Sequence, residues 1–131
     1  MPDDATQIRA LITDWAAAVH RGDLDGVLVD HTDDLVMYDV PAPHAGIHGL
    51  AAYSASWPPF FEWQAQGARF DIDTLDITAG TDVAYAHALL RCGTPEELAA
   101  DPTLRLRLTF GLRKEHGRWR VAHEHHSFPH D

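Results

Sequence analysis

The chain has 131 residues and a formal charge of −10, because 20 aspartates and glutamates outnumber 10 lysines and arginines. This negative charge disfavours nucleic acid and anionic membranes as partners, since both attract basic surfaces. The length fits one domain over residues 1–131, and no apolar run approaches the length that would span a membrane.

The chain begins with two predicted helices in close succession. Apolar residues recur at helical spacing over residues 4–21, with Asp4 as a candidate cap, and Gly22 is placed to end that helix in a left-handed turn. Asp23 can then cap a second, shorter helix that carries Leu24, Val27 and Leu28 on its inner side.

A short strand and a third helix follow. Residues 35–39 predict a strand that stops at the proline-rich segment 40–43, because proline cannot donate to a strand ladder. The third helix is predicted to begin near Leu50 and to end or kink at Pro58-Pro59.

The C-terminal half predicts four long strands joined as a meander, since the apolar period changes from helical to alternating near residue 67. The predicted strands cover residues 69–77, 83–92, 104–114 and 117–127. Three helices followed by such strands indicate an α+β fold with a curved antiparallel sheet, helices on one face and a conical pocket between the layers. The other face of the sheet also carries apolar residues, so we expect a homodimer through this open face.

The last strand has the most unusual composition of the chain. Under strict alternation, His123 and His125 share a face with Trp119 and Val121, while Glu124 lies on the other face. Imidazoles at the end of an apolar face favour a wet cavity. The alternative is a histidine-rich strand end exposed to solvent.

Two other segments offer candidate functional residues. Asp39 lies where a strand opens into a rigid loop, a place where catalytic groups are common, although a carboxylate there can also bond its own backbone in a turn. The aromatic run of Phe60, Phe61 and Trp63 fits core or lid packing, or alternatively a wall for a planar ligand.

Several motifs, in their order along the chain, resemble the nuclear-transport-factor-2-like superfamily. The segments 22–27 (Gly-Asp-Leu-Asp-Gly-Val) and 32–36 (Thr-Asp-Asp-Leu-Val), with Asp39 before the prolines and then Gly46, are similar to the opening of ketosteroid isomerases and SnoaL-like polyketide cyclases. Residues 117–127 are similar to the end of the association domain of calcium/calmodulin-dependent kinase. The resemblance implies a cone-shaped, strongly curved sheet wrapped around a long N-terminal helix, the cystatin-like α+β barrel.

The resemblance also implies roles for individual residues. Asp39 matches the general base of ketosteroid isomerases, whereas the oxyanion-hole tyrosine and aspartate correspond to Trp15 and Thr109 here. Arg91 resembles an inward-facing arginine of the association domain. With His123 and His125 it would suit an anion, but it can instead pair with acidic residues at the rim.

Three functional hypotheses follow. The first is an isomerase, cyclase or hydratase in which Asp39 acts on a carbonyl compound and His123 or His125 steadies the oxyanion. The second is a non-catalytic module for ligand binding or oligomerisation. In either case we expect a small hydrophobic or acidic metabolite, and the candidate ligand-binding residues are Trp15, Tyr38, Trp57, Phe61, Arg91 and Thr109. The third is a metal site at His123 and His125, joined by His87 or His44, for which the spacing is permissive but not diagnostic.

The sequence offers no cofactor motif, neither a glycine-rich phosphate loop nor a CxxC pair. The one cysteine, Cys92, cannot form a disulfide within the chain, which favours a reducing, cytoplasmic location. Cys92 follows an apolar strand pattern, which favours a small buried hydrophobe over a nucleophile.

Overall fold

Helices come first along the chain, and long strands dominate its second half. The structure is a computed structural model that describes residues 2–130. The elements are α1 (Asp4–His20), α2 (Leu24–Leu28), β1 (His31–Tyr38), β2 (Ile47–His48), α3 (Leu50–Gln64), β3 (Arg69–Ala79), β4 (Val83–Gly93), α4 (Pro95–Ala100), β5 (Leu106–Glu115) and β6 (Arg118–Ser127). Within the described residues, no helix combines the length and apolarity that crossing a bilayer requires.

The six strands form one sheet in the order β2-β1-β6-β5-β4-β3. All neighbouring pairs are antiparallel except β1 and β6, which run parallel. Residues from α1 and α3 pack on the inner face, where Ile12, Trp15 and Tyr53 lie in one core with Leu108 and Phe110 of β5. The predicted α+β class, with a helical layer on one face of a curved sheet, is confirmed.

The helix boundaries follow local chemistry. Asp3 caps α1, since its carboxylate accepts the N–H of Thr6 at 2.8 Å, so the predicted cap at Asp4 is wrong by one residue. Asp23 caps α2 as predicted and accepts the N–H of Gly26 at 3.1 Å. Each carboxylate satisfies an N–H that has no partner within its helix.

The prediction that Pro58 and Pro59 end or kink the third helix is wrong in one respect, because α3 continues to Gln64. The two prolines cannot donate to the carbonyls of Ser54 and Ala55. Both prolines are exposed, Ala55 is exposed and Ser54 is half-buried, so water can satisfy those carbonyls. The continued helix carries Phe60 and Trp63 to the inner side of the fold.

A β-bulge interrupts β6 at Ala122. Gly111 of β5 pairs with His123, but the next residue, Leu112, pairs with Val121, which leaves Ala122 without a partner on β5. A bulge adds one residue to the strand, so all side chains beyond it change faces relative to those before it.

The outer face of the sheet is open and partly apolar. Val83, Tyr85 and Leu89 of β4 are 62%, 53% and 37% exposed. The homodimer expected through this face stays a prediction.

Candidate active site

A cavity of about 540 Å³ lies between α3 and the sheet. Its wall is mainly aromatic and aliphatic, and it comes from α3, α4, strands β3 to β6 and the segments that follow β1 and β6. The apolar lining includes Trp57, Phe60, Trp63, Phe70, Leu104, Leu106 and Phe128. The polar lining is small and consists of Asp39, Ser56, Glu97 and His126. Apolar walls with a few polar groups are typical of small-molecule sites.

Beside this cavity lies a buried hydrogen-bond network centred on Glu124, whose side chain has no exposed surface. Glu124 Oε2 accepts the hydroxyl of Tyr53 at 2.7 Å and lies 2.9 Å from His31 Nε2. Its other oxygen, Oε1, lies 2.8 Å from His126 Nε2. The indole N–H of Trp15 donates to the Tyr53 oxygen at 2.9 Å. The network therefore joins α1, α3, β1 and β6.

The network determines which of its members carry charge. Burial alone would raise the pKa of Glu124, but hydrogen bonds with His126 and His31 outweigh burial and bring this pKa to about 2. Burial, together with the charge of Glu124, raises the pKa of Tyr53 well above its usual range. Glu124 is therefore a carboxylate, and Tyr53 is a neutral donor.

His126 connects this network to the cavity. Its ring lies 6.3 Å from the rings of Trp15 and Trp57, measured between centroids, and its side chain is 5% exposed. Its Nε2 faces Glu124, and its Nδ1 lies 3.6 Å from Asp39 Oδ1. A carboxylate and an imidazole thus adjoin each other on the wall of an apolar cavity.

Asp39 lies just beyond β1, and its side chain is 26% exposed. Its Oδ1 accepts the backbone N–H of Val40 at 2.8 Å, as expected of a turn carboxylate. It also lines the cavity. On its other side, Asp39 lines a depression of about 520 Å³ together with Tyr38 and His125.

Comparison with known proteins establishes the family. Residues 8–131 match the SnoaL-like domain. The chain belongs to the SnoaL-like family. No curated protein matches it significantly.

Solved structures agree with this assignment. An NTF2-like protein of unknown function from Pseudomonas putida is 32% identical over 98% of this chain and 90% of its own, with a TM-score of 0.80. An NTF2-like protein with a cystatin-like fold from Novosphingobium aromaticivorans is 19% identical (95% and 81% covered, TM-score 0.75). A ketosteroid isomerase-like protein from Erwinia carotovora atroseptica is 19% identical (100% and 100% covered, TM-score 0.71). The last two likenesses show a shared fold, and the resemblance to the nuclear-transport-factor-2-like superfamily is confirmed.

In this SnoaL-like domain, the predicted placement of His123 and His125 in the pocket is wrong. Both lie on the outer face, where His123 Nδ1 is 2.6 Å from the carbonyl oxygen of Val36 and both rings contact Tyr38 edge-on. The bulge at Ala122 is the cause, because it moves Glu124 and His126 to the inner face instead.

The other predicted site residues separate into two groups. Trp57 lines the cavity together with Asp39, as expected. The remaining five do not line it, which corrects their predicted placement: Trp15, Tyr38, Phe61, Arg91 and Thr109. Trp15 is buried beneath His126, and Phe61 stacks on Trp57 at a centroid distance of 6.0 Å.

Three of these residues lie on the outer side of the sheet because of strand parity. Tyr38 lines the outer depression. Thr109 is exposed, on the face of β5 opposite to the buried Leu108 and Phe110. Arg91 pairs with Asp71 at 3.2 Å and Asp73 at 3.1 Å, which is the rim pairing considered as its alternative role.

Four members of the site were not among the predicted residues: His31, Tyr53, Glu124 and His126. One signal in the sequence points toward the last two. Gly111 interrupts the side-chain pattern of β5, and a glycine inside a strand often marks a bulge. A Cβ at Gly111 would lie 3.2 Å from the Cβ of His123, so glycine fits the bulge.

Cys92 lies at the cavity wall and is 5% exposed. Burial, with a smaller effect of Glu97, raises the pKa of its thiol to about 12. This neutral thiol agrees with the interpretation of Cys92 as a small buried hydrophobe.

Across residues 2–130, no set of three or more histidine, cysteine, aspartate or glutamate side chains is arranged to hold a metal ion. The hypothesis of a metal site at His123 and His125, with His87 or His44, therefore gains no support from the described part of the chain.

Proposed function

We propose that the cavity binds a small, neutral, largely apolar carbonyl compound and that Asp39 acts on it as a general base. The observation that supports this proposal is the pairing of Asp39 with His126, 3.6 Å apart on the wall of an otherwise apolar cavity. A carboxylate and an imidazole held in position beside a bound molecule can each take a proton from that molecule or give one to it.

The proposed reaction is an enolisation followed by reprotonation. Asp39 removes a proton from the carbon next to the carbonyl, and the electron pair of that C–H bond moves toward the carbonyl oxygen. His126, in its doubly protonated form, keeps one N–H on Glu124 and offers Nδ1–H to that oxygen. The proton on Asp39 then returns to the same carbon or to a conjugated one. The atoms balance without a further reactant.

The charges at the cavity favour a neutral ligand. The charged groups in its lining are Asp39, Glu97 and His126, and the lining residues include neither lysine nor arginine. An anion would lose its water and meet the carboxylates of Asp39 and Glu97, with only His126 as a cationic partner among the lining residues. Of the two expected ligand types, the small hydrophobic molecule therefore fits the cavity better than the acidic metabolite.

Hydrogen–deuterium exchange of a ketone tests the proposal. The probe is 2-tetralone, a neutral aromatic ketone whose acidic C–H groups exchange in D₂O and are followed by proton NMR. Catalysed exchange should fall by roughly 100-fold or more in Asp39→Asn. Asp14→Asn, at an exposed position on α1, is the matched control and should exchange at the rate of the unmodified protein.

Binding is measured separately, by quenching of the fluorescence of Trp57 and Trp63 at the cavity wall. Binding of 2-tetralone without catalysed exchange would contradict the general-base role. It would favour the second candidate, a non-catalytic ligand-binding module, for which the bond from the Val40 N–H to Asp39 is the supporting observation.

A further inference from the structure

The protons of His31 can be assigned from its neighbours. Its Nδ1 lies 2.9 Å from the carbonyl oxygen of Val29. A carbonyl oxygen only accepts, so this nitrogen carries a hydrogen. Its Nε2 lies 2.9 Å from Glu124 Oε2. A neutral imidazole has one N–H, which would leave the lone pair of Nε2 against a carboxylate oxygen.

A second proton must therefore lie between His31 and Glu124, and Tyr53 does not supply it. The hydroxyl of Tyr53 has one hydrogen, and its nearest acceptor is Glu124 Oε2 at 2.7 Å, compared with His31 Nε2 at 3.3 Å. The Tyr53 oxygen already accepts from Trp15. The short bond to Tyr53 and the two imidazoles surround Glu124 with donors, as expected for an ionised carboxylate.

We propose that Glu124, held as a carboxylate by a doubly protonated His31, is a positioning residue for His126. Glu124 binds the Nε2–H of His126 and thereby turns its Nδ1 toward Asp39 and the cavity. This inference rests on the proposed function, in which Nδ1 is the nitrogen that meets the bound molecule.

The charged and titratable groups around the two imidazoles come from different elements. His126 faces Glu124 on its own strand and Asp39 beyond β1, while Glu97 and the neutral thiol of Cys92 line the same cavity. Glu124 faces His31 of β1 and Tyr53 of α3. Removing any one of these donors would leave the buried carboxylate less well compensated, so each of them helps to hold Glu124 in place.

The protonation states are read directly by long-range ¹H–¹⁵N NMR of the full chain, labelled with ¹⁵N-histidine, at about pH 7. Ring nitrogens with and without hydrogen have well-separated ¹⁵N shifts. We expect both nitrogens of His31, and at least Nε2 of His126, to be protonated. A neutral His31, or a His126 with bare Nε2, would overturn the proposal. Spectra of His126→Gln and of His20→Gln, at an exposed position on α1, assign and control the signals.

A variant adds the functional readout. In Glu124→Gln, 2-tetralone exchange should fall by roughly 100-fold while its dissociation constant changes by less than about twofold. Glu62→Gln, on the exposed side of α3, is the matched control. An unchanged exchange rate in folded Glu124→Gln would overturn the positioning role. If the unmodified protein catalyses no exchange, the proposed function fails, whereas the NMR spectrum still decides the state of His31 and His126.

Discussion

Replacing Glu124 by glutamine removes a buried negative charge at nearly constant side-chain shape. The ordinary pKa of a glutamate is 4.5, and that of Glu124 is about 2. Each pKa unit corresponds to about 1.4 kcal/mol, so the folded protein stabilises ionised Glu124 relative to its protonated form by about 3 kcal/mol. Removing one partner of a buried charge pair has an effect of the same order.

The sign of the pH dependence follows from the lowered pKa. The unfolded chain binds a proton at Glu124 as the pH falls below 4.5, whereas the folded chain binds it only near pH 2. The contribution is therefore complete above pH 4.5 and is lost as the pH falls toward 2. The stability gap between the unmodified protein and Glu124→Gln should be about 3 kcal/mol at neutral pH and should narrow below 4.5.

Urea unfolding followed by circular dichroism, at a series of pH values from 7 to 3, measures this gap. Glu62→Gln is the control, because its exposed side chain should give little gap at any pH. A gap for Glu124→Gln that stays constant across the series would refute the reasoning, since it would mean that the pKa of Glu124 is the same in the folded and the unfolded chain.

Three further predictions concern the same interior. Tyr53→Phe removes the hydroxyl that donates to Glu124, so the free energy of unfolding should fall by about 1–3 kcal/mol. The exposed Tyr85→Phe is its control, and equal losses would contradict the prediction. Deleting Ala122 removes the bulge but keeps the pairs Val121–Leu112 and His123–Gly111, so Glu124 and His126 should stay on the inner face and the variant should still unfold cooperatively; loss of cooperative unfolding would contradict this. Because burial raises the pKa of Cys92 to about 12, iodoacetamide at about pH 8 should label it only after unfolding, and rapid labelling of the native protein would contradict this.

Local patterns in the sequence were enough to predict the frame of the fold. The helical spacing of residues 4–21 and the alternation of residues 104–114 match α1 and β5 closely. The cap at Asp23 also depends only on neighbours in the chain. Such features are predictable because residues a few positions apart determine them.

The candidate site was only partly predictable, because contacts between distant segments determine it. Strict alternation placed His123 inside, and the bulge at Ala122, opposite Gly111, reversed that placement. His31 lies before the predicted strand of residues 35–39, but β1 begins at His31, which pairs in parallel with Val121. Pairing with a parallel strand about 90 residues away produces no periodic pattern in the local sequence, so the start of β1 could not be predicted from it.

The position of Asp39 has a consequence for how a reaction cycle could be completed. The segment 39–41 lines both the inner cavity and the outer depression, so it forms a partition between them. In the proposed reaction, a proton that Asp39 takes from a bound molecule then lies beside the outer depression, which is open to solvent. That proton can therefore exchange with solvent from the outer depression while the bound molecule stays in the cavity.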